Sequence, residues 1–521
     1  MKALKKAPLY LIFAAMPLIT MALISLIFRI DPRNTVLVAG DEITWYSLVR
    51  SVVAFGRPLG YYGYAGSHAA YGTFSTWGPA QVYAMSLIPR LTGMTLQSPI
   101  LTNVVYACAA NLLFVLFTQP EIKSALRLIL ISFLTYVSFQ FIFTGMSETT
   151  RFSMGIILTG ILWYLWKNSS KGKIFYGFVL YVLAPLLILA FSACYILFTI
   201  AVPVWFLCLS ARLGRKKKKK FLFWFFYWIL AVILSALIVA GMYFFRSKVI
   251  APYISSTTGD FIAAFRQGLR PGLDYARGLL IRAWNNLNPL ALYRMRGEHH
   301  GFYTLTLFFY YAVILLSLIR MVLCIGKKYK HRDCFAQYLT SFLLLTSFLF
   351  AFIFLYTTEP ASMIRGLNIA FVPALYLLCL GEKDSIITYR LAIILLIGMY
   401  SFGINFSETA IPGRYDAAAA ARIEEVENTL SRYIVLDPQA DPSENTVQLY
   451  GDLTPSLMGL PAGAGINAML WLNVVEPEYR YALLNLESPG GRDMETTTLL
   501  LTDRGYKELY NDGALAVYAN R

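Results

Sequence analysis

Two adjacent carboxylates, Asp41 and Glu42, stand in VLVAGDEITWYSLVR, directly after the first apolar run of the chain. Only 14% of the residues are charged and 57% are apolar, so an acidic dipeptide at that point calls for a role. A carboxylate can take the proton of an attacking hydroxyl, the general-base step used at sugar carbons. The next stretch, GRPLGYYGYAGSHAAYGTFSTWGP, is dense in glycine and aromatic residues. Tyr61, Tyr62, Tyr64, Tyr71 and Trp77 would offer flat faces with polar handles suited to a saccharide, and His68 adds a further polar group. Glycines between them imply that a ligand or another backbone comes close. A second long loop, about 246–301, carries eight Arg and Lys residues against Asp260, Asp274 and Glu298. Its planar guanidinium groups, Arg294 and Arg296 among them, suit a phosphate.

A plainer role stands beside each of these. Asp41 can cap the helix that EITWYSLVRSVVAF predicts, an amphipathic segment lying along a membrane surface, with Glu42 in its first turn facing the positive end of the helix dipole. If both acids are helical, their side chains diverge by about 100°. Aromatic residues also anchor proteins at lipid interfaces, and long loops are partly exempt from the charge bias across membranes. His68 can serve as a loop hydrogen-bonder. His299 and His300 beside Glu298 bring metal-ligating types together, but neighbouring side chains point apart.

The elements that must position these groups are membrane spans. Mean hydropathy is +0.57, and aromatic residues make up 15% of 521 residues. Apolar runs of roughly twenty residues recur, each long enough to cross about 30 Å of hydrocarbon. They predict about eleven helices, at 8–28, 96–118, 127–146, 152–167, 174–191, 193–211, 221–245, 302–325, 335–356, 364–380 and 388–405. Basic residues, including Lys2, Lys5, Lys6 and the lysines 216–220, flank alternate connections, which places those inside, against anionic lipid heads, and the C-terminus outside. The six cysteines fall in spans or inside segments, so no disulfide framework is expected.

Charge divides the chain. Residues 406–521 hold 17 acidic and 8 basic residues, whereas residues 1–405 carry a net charge of +25. The acidic part lacks a spanning run. DAAAAARIEEVENTL predicts a helix, YIVLD and VQLYG predict strands, and TTTLLLTDRGYKELYNDGALAVYAN predicts strand–helix–strand with a turn at Gly513. The fold class is thus an α-helical polytopic membrane protein, residues 1–405, with a small C-terminal extracytoplasmic α/β domain, residues 406–521.

This pattern resembles the GT-C superfamily of polytopic glycosyltransferases, especially the branch of protein O-mannosyltransferases and lipid A aminoarabinose transferases. Members follow the first helix with an outside acidic pair, then an aromatic and glycine-rich stretch, an amphipathic segment and an apolar helix. Here these are Asp41-Glu42, YYGYAGSHAAYGTFSTWGP, AQVYAMSLIPRLTG and SPILTNVVYACAANLLFVLF. Where many relatives carry His-Pro-Pro-Leu, this chain has Tyr71-Gly72-Thr73-Phe74 leading to Trp77-Gly78-Pro79, which leaves sugar and acceptor open. The resemblance implies a catalytic transmembrane domain over residues 1–405. It adds Glu148, in GMSETTRFSMG, as a second catalytic acid that positions the acceptor, and Arg365, in TTEPASMIRGLNIAF, as a phosphate-holding group with Arg294 and Arg296. Glu148 with Arg151 could equally form a surface pair, and Arg365 an interface anchor.

The implied activity is inverting transfer of a sugar from a polyprenyl-phosphate-linked donor to an extracytoplasmic glycan, lipid or protein acceptor, with Asp41 as general base and Glu42 in support. Members with and without a divalent metal exist, and no other cofactor and no nucleic acid is expected. The lack of outside cysteines favours a bacterial inner or plasma membrane. An O-antigen-type polymerase or ligase would also use lipid-linked sugars, but has no special need of Asp41-Glu42. A transporter or flippase of lipid-linked sugars would lead one to expect internal repeats, and none stands out.

Overall fold

The computed structural model describes residues 6–29, 31, 36–37, 40–64, 79–139, 141–168, 257–290, 300–326, 332–355, 360–380, 416–469 and 475–520, with scattered positions in 203–241 and at 393. Helices occupy seven of the expected spans: α1 (Ala7–Phe28), α4 (Ser98–Thr118), α5 (Ile122–Phe139), α6 (Glu148–Asn168), α9 (His300–Gly326), α10 (Arg332–Leu355) and α11 (Pro360–Leu378). The spans expected at 174–191, 193–211 and 388–405 lie wholly or mostly outside the described residues, and the span at 221–245 is described at scattered helical positions. Among the described residues three stretches are long and apolar enough to cross a membrane, Ala7–Ile27, Ser98–Thr118 and Thr304–Cys324. The chain is an integral membrane protein, and the exposed leucines of α1, α4 and α9 are faces for lipid. Between the spans run α2 (Gly40–Phe55), α3 (Pro79–Thr92), α7 (Thr257–Gln267) and α8 (Leu269–Leu287).

Two prolines fix how the bundle packs. Pro17, inside α1, lacks the N–H that would bond the Phe13 carbonyl one turn earlier. The fully buried Asn111 of α4 supplies the missing donor, Nδ2 to Phe13 oxygen at 3.0 Å. The Tyr376 hydroxyl of α11 donates to Ser132 Oγ of α5 at 2.9 Å nearby, so polar side chains tie four apolar helices together. Pro373, inside α11, likewise leaves the Ile369 carbonyl without its helical donor. Gly155 of α6 packs onto that point, where a Cβ would lie 3.0 Å from the Ile369 oxygen and 2.8 Å from Pro373 Cγ.

The C-terminal part begins with α12 (Ala417–Leu430), capped by Asp416, whose carboxylate accepts from the N–H groups of Ala418 and Ala419. Strands β2 (Thr446–Tyr450), β3 (Gly465–Ala468), β4 (Tyr481–Asn485), β5 (Lys507–Asn511) and β6 (Leu515–Ala519) form a sheet with α13 (Met494–Asp503) on one face. The sixth strand comes from the first loop. β1 (Tyr62–Tyr64) pairs in parallel with β3, giving the order β1-β3-β2-β4-β6-β5. The first three pairings are parallel and the last two antiparallel. Alternation puts Val447, Leu449, Tyr481, Leu483 and Val517 on the face that meets α12, α2 and the start of α4.

Three local expectations are corrected. YIVLD is not a strand but a turn and extended segment after α12. The terminal order is helix–strand–strand rather than strand–helix–strand, because the Asp493 cap starts a helix through the threonines and Asn511-Asp512-Gly513 closes a hairpin, Gly513 having φ +82°. The span expected at 127–146 ends at Phe139. Residues 141–147 form a single 3-10 turn and a loop at the mouth of α6.

Candidate functional site

The end of the bundle that meets the sheet is opposite the end where Lys6 and Tyr10 bond the Pro120 carbonyl. At the sheet end, α2 starts with Gly40, so Asp41 lies in its first turn rather than in the expected capping position. The two acids have different fates. Glu42 is fully buried, and its Oε1 accepts the backbone N–H of Gly145 at 2.7 Å. Asp41 is half-buried, with its carbonyl accepting the Thr44 hydroxyl at 3.0 Å.

Gly145 belongs to the loop between the 3-10 turn Phe141–Phe143 and α6. A Cβ there would lie 3.0 Å from a methyl of Leu37 and 3.3 Å from Pro99 Cβ, so a side chain would require those neighbours to shift. The loop hangs on Asn103 of α4, fully buried, whose Nδ2 donates to the carbonyls of Thr144 and Met146, both at 2.8 Å. Asn103 Oδ1 accepts the Thr150 hydroxyl of α6 at 3.1 Å. The amide's donors and acceptor are thus in use.

α6 then opens with Glu148, Thr149, Thr150 and Arg151, all buried. Glu148 is 7% exposed, in the first turn, where the helix dipole favours a carboxylate. Its Oε2 accepts no hydrogen bond among the described residues. Glu148 and Arg151 are not a surface pair.

On its other sides α2 is held by the sheet. Arg50, mostly buried, pairs with Glu427 of α12 and donates to the carbonyls of Met458 and Leu460 at 3.2 and 2.6 Å. Burial lifts the Tyr46 phenol above its ordinary value, against the nearby Arg50 charge. α2 is therefore buried nearly all round against protein, where a helix with one exposed face was expected.

The aromatic expectations fare unevenly. Tyr61 and Tyr62 are 2% and 3% exposed and pack with Trp45, Val49 and Val82, so they are core rather than faces offered to a saccharide. The Tyr61 N–H donates to Thr446 Oγ1 at 2.9 Å, and the Tyr62 hydroxyl to the Gly463 carbonyl at 3.1 Å. They went inward because this segment is a strand of the sheet, and strand residues read from sequence as a loop. The close backbone approach that its glycines imply is real at Gly60, where a Cβ would lie 2.6 Å from the Gly465 nitrogen. Tyr64 ends β1, opposite Ala468. His68, Tyr71, Trp77, Arg294, Arg296, Glu298 and His299 lie outside the described residues, and His300 starts α9. Arg365 falls in the second turn of α11, its side chain outside what is described. Among the described residues no three His, Cys, Asp or Glu side chains gather as metal ligands.

Sequence reasoning missed Asn103, Gly145 and Arg50. A signal existed for the first, since an amide inside the apolar run SPILTNVVYACAAN must find partners in the bundle. No comparable signal marks Gly145 or Arg50.

No protein-family model matches the chain, and no curated protein sequence matches it. Among solved structures, it is similar to the oligosaccharyltransferase AglB of Archaeoglobus fulgidus in complex with an inhibitory peptide and a dolichol-phosphate. That likeness has 15% identity and a TM-score of 0.46, covering 98% of this chain and 74% of that one. The apo form of the same enzyme gives 16% identity and a TM-score of 0.48 over the same shares. ArnT of Cupriavidus metallidurans bound to undecaprenyl phosphate gives 12% identity and a TM-score of 0.39, covering 97% of this chain and 98% of that one.

Proposed function

We propose that this chain is an inverting glycosyltransferase that moves a sugar from a polyprenyl-phosphate-linked donor to an acceptor hydroxyl. Residues 1–405 carry the catalytic work and residues 406–521 form the extracytoplasmic domain, in a bacterial inner or plasma membrane. The Asp41 carboxylate takes the acceptor's proton as the acceptor oxygen bonds to the anomeric carbon. The bond from that carbon to the phosphate oxygen breaks, its electrons leaving with the polyprenyl phosphate, and configuration inverts. The leaving phosphate is already stable, so cations aid it more than an acid would. Arg365, Arg294 and Arg296 take that role.

One observation carries the reading: the acidic pair is divided. Glu42 is fully buried and accepts a backbone N–H, while its neighbour Asp41 is only half-buried. Glu148, buried with an oxygen that accepts no hydrogen bond among the described residues, suits an acceptor hydroxyl. No step here is routed through a metal ion.

The test is Asp41→Asn in the purified full chain, with a panel of undecaprenyl-phosphate sugars and release of undecaprenyl phosphate as readout. Loss of a general base should lower turnover about a hundred- to ten-thousand-fold. Turnover at the wild-type rate would remove Asp41 from the chemistry. If no donor of this class is turned over by the wild type, a transporter of lipid-linked sugars becomes the better reading.

A further inference from the structure

The general-base role proposed for Asp41 needs the first turn of α2 to stay in place. One link from α2 to α4 runs through a peptide group. In a trans peptide the carbonyl of one residue and the N–H of the next point in opposite directions. The Thr144 carbonyl and the Gly145 N–H belong to one such unit. Asn103 Nδ2 holds the Thr144 carbonyl at 2.8 Å, and the Gly145 N–H on the far side meets Glu42 Oε1 at 2.7 Å. The second proton of the same amide holds the Met146 carbonyl at 2.8 Å, so Gly145 is gripped on both sides. The absence of a Cβ lets Leu37 and Pro99 close over it.

We infer that Asn103 is a positioning residue for the acidic pair: it aims the Gly145 N–H at Glu42 and thereby fixes the turn that carries Asp41. This rests on the reading of Asp41 as the base. A buried amide in an apolar helix is costly unless its hydrogen bonds are made, and both of its donations are spent on the loop that meets Glu42. Aspartate at 103 has the same shape but turns both donations into contacts between oxygens.

The test compares Asn103→Asp and Asn103→Leu in the full chain, each alone and with Glu42→Ala, by single-turnover and steady-state donor kinetics and by thermal denaturation. Either Asn103 substitution alone should lower kcat at least tenfold and leave the donor KM within twofold. With Glu42→Ala present, the Gly145 N–H has lost its acceptor, so the Asn103 change should lower the single-turnover rate less than twofold further. Its effect on the denaturation temperature persists in both backgrounds. Kinetic penalties that multiply in full would show a merely structural Asn103 and overturn the inference, as would a raised KM with unchanged kcat. Failure of the underlying reading looks different: Asp41→Asn would keep its turnover whatever Asn103 does.

Discussion

At Glu42 the cost of burying a carboxylate is offset by the backbone, since Gly145 donates to it from a closely packed loop. Glu42→Ala should therefore destabilise the protein by about 1–3 kcal/mol, read by thermal denaturation, because it leaves a buried N–H without an acceptor. Glu148 behaves in the opposite sense. Its Oε2 accepts no hydrogen bond among the described residues, so the carboxylate is held at a cost to folding. Glu148→Gln should leave stability unchanged or raise it, while turnover falls. That combination is expected where a residue is kept for function rather than for the fold. A Glu148→Gln protein that was both less stable and fully active would contradict the role given to it.

Elements are positioned by their irregular points. Pro17 in α1 frees the Phe13 carbonyl and Asn111 meets it, so the two positions form a matched pair across helices. Asn111→Leu should cost about 1 kcal/mol, and Pro17→Leu in that background should restore most of it by giving the carbonyl back its helical donor. Denaturation temperatures of the two single variants and the double variant check this, and additive losses would refute it. The early end of α5 is of the same kind. Where an uninterrupted span was expected through residue 146, the chain breaks at Phe139 and forms the loop that Asn103 holds. The apolar residues of 127–146 are continuous in sequence, and only the partner amide on α4 marks the break.

Across the whole molecule, the sheet and the bundle are joined by the first loop. β1 supplies the sheet's edge strand, and Arg50 clamps α2 to α12 and to the turn Pro455–Gly459. The sheet's own edge at the hairpin is held by charge. Partial burial works to raise the Asp512 carboxyl, but Arg422, the N–H groups of Leu515 and Ala514 and the Tyr510 hydroxyl outweigh it and hold it well below the usual carboxylate range. A carboxyl lowered in the folded state contributes stability in full above its ordinary value of about 4 and loses it as pH falls further. Acid titration followed by denaturation should therefore show stability falling below about pH 4, with a shallower fall in Asp512→Asn. An unchanged slope in that variant would assign the acid sensitivity elsewhere.

The sequence by itself determined that the chain spans a membrane, roughly where seven helices lie, that an acidic pair follows the first of them, and that helix and strand mix in the acidic part after residue 405. Apolar run length, charge and turn residues are local properties, and they survive folding unchanged. Which acid is fully buried and which half-buried, and that Tyr61 and Tyr62 are core, depended on contacts between residues distant in sequence. Glu42 meets Gly145 across about a hundred positions, and Tyr62 pairs with Ile466 across about four hundred. Hydrogen-bond geometry and sheet register set those pairings, and no local periodicity encodes them.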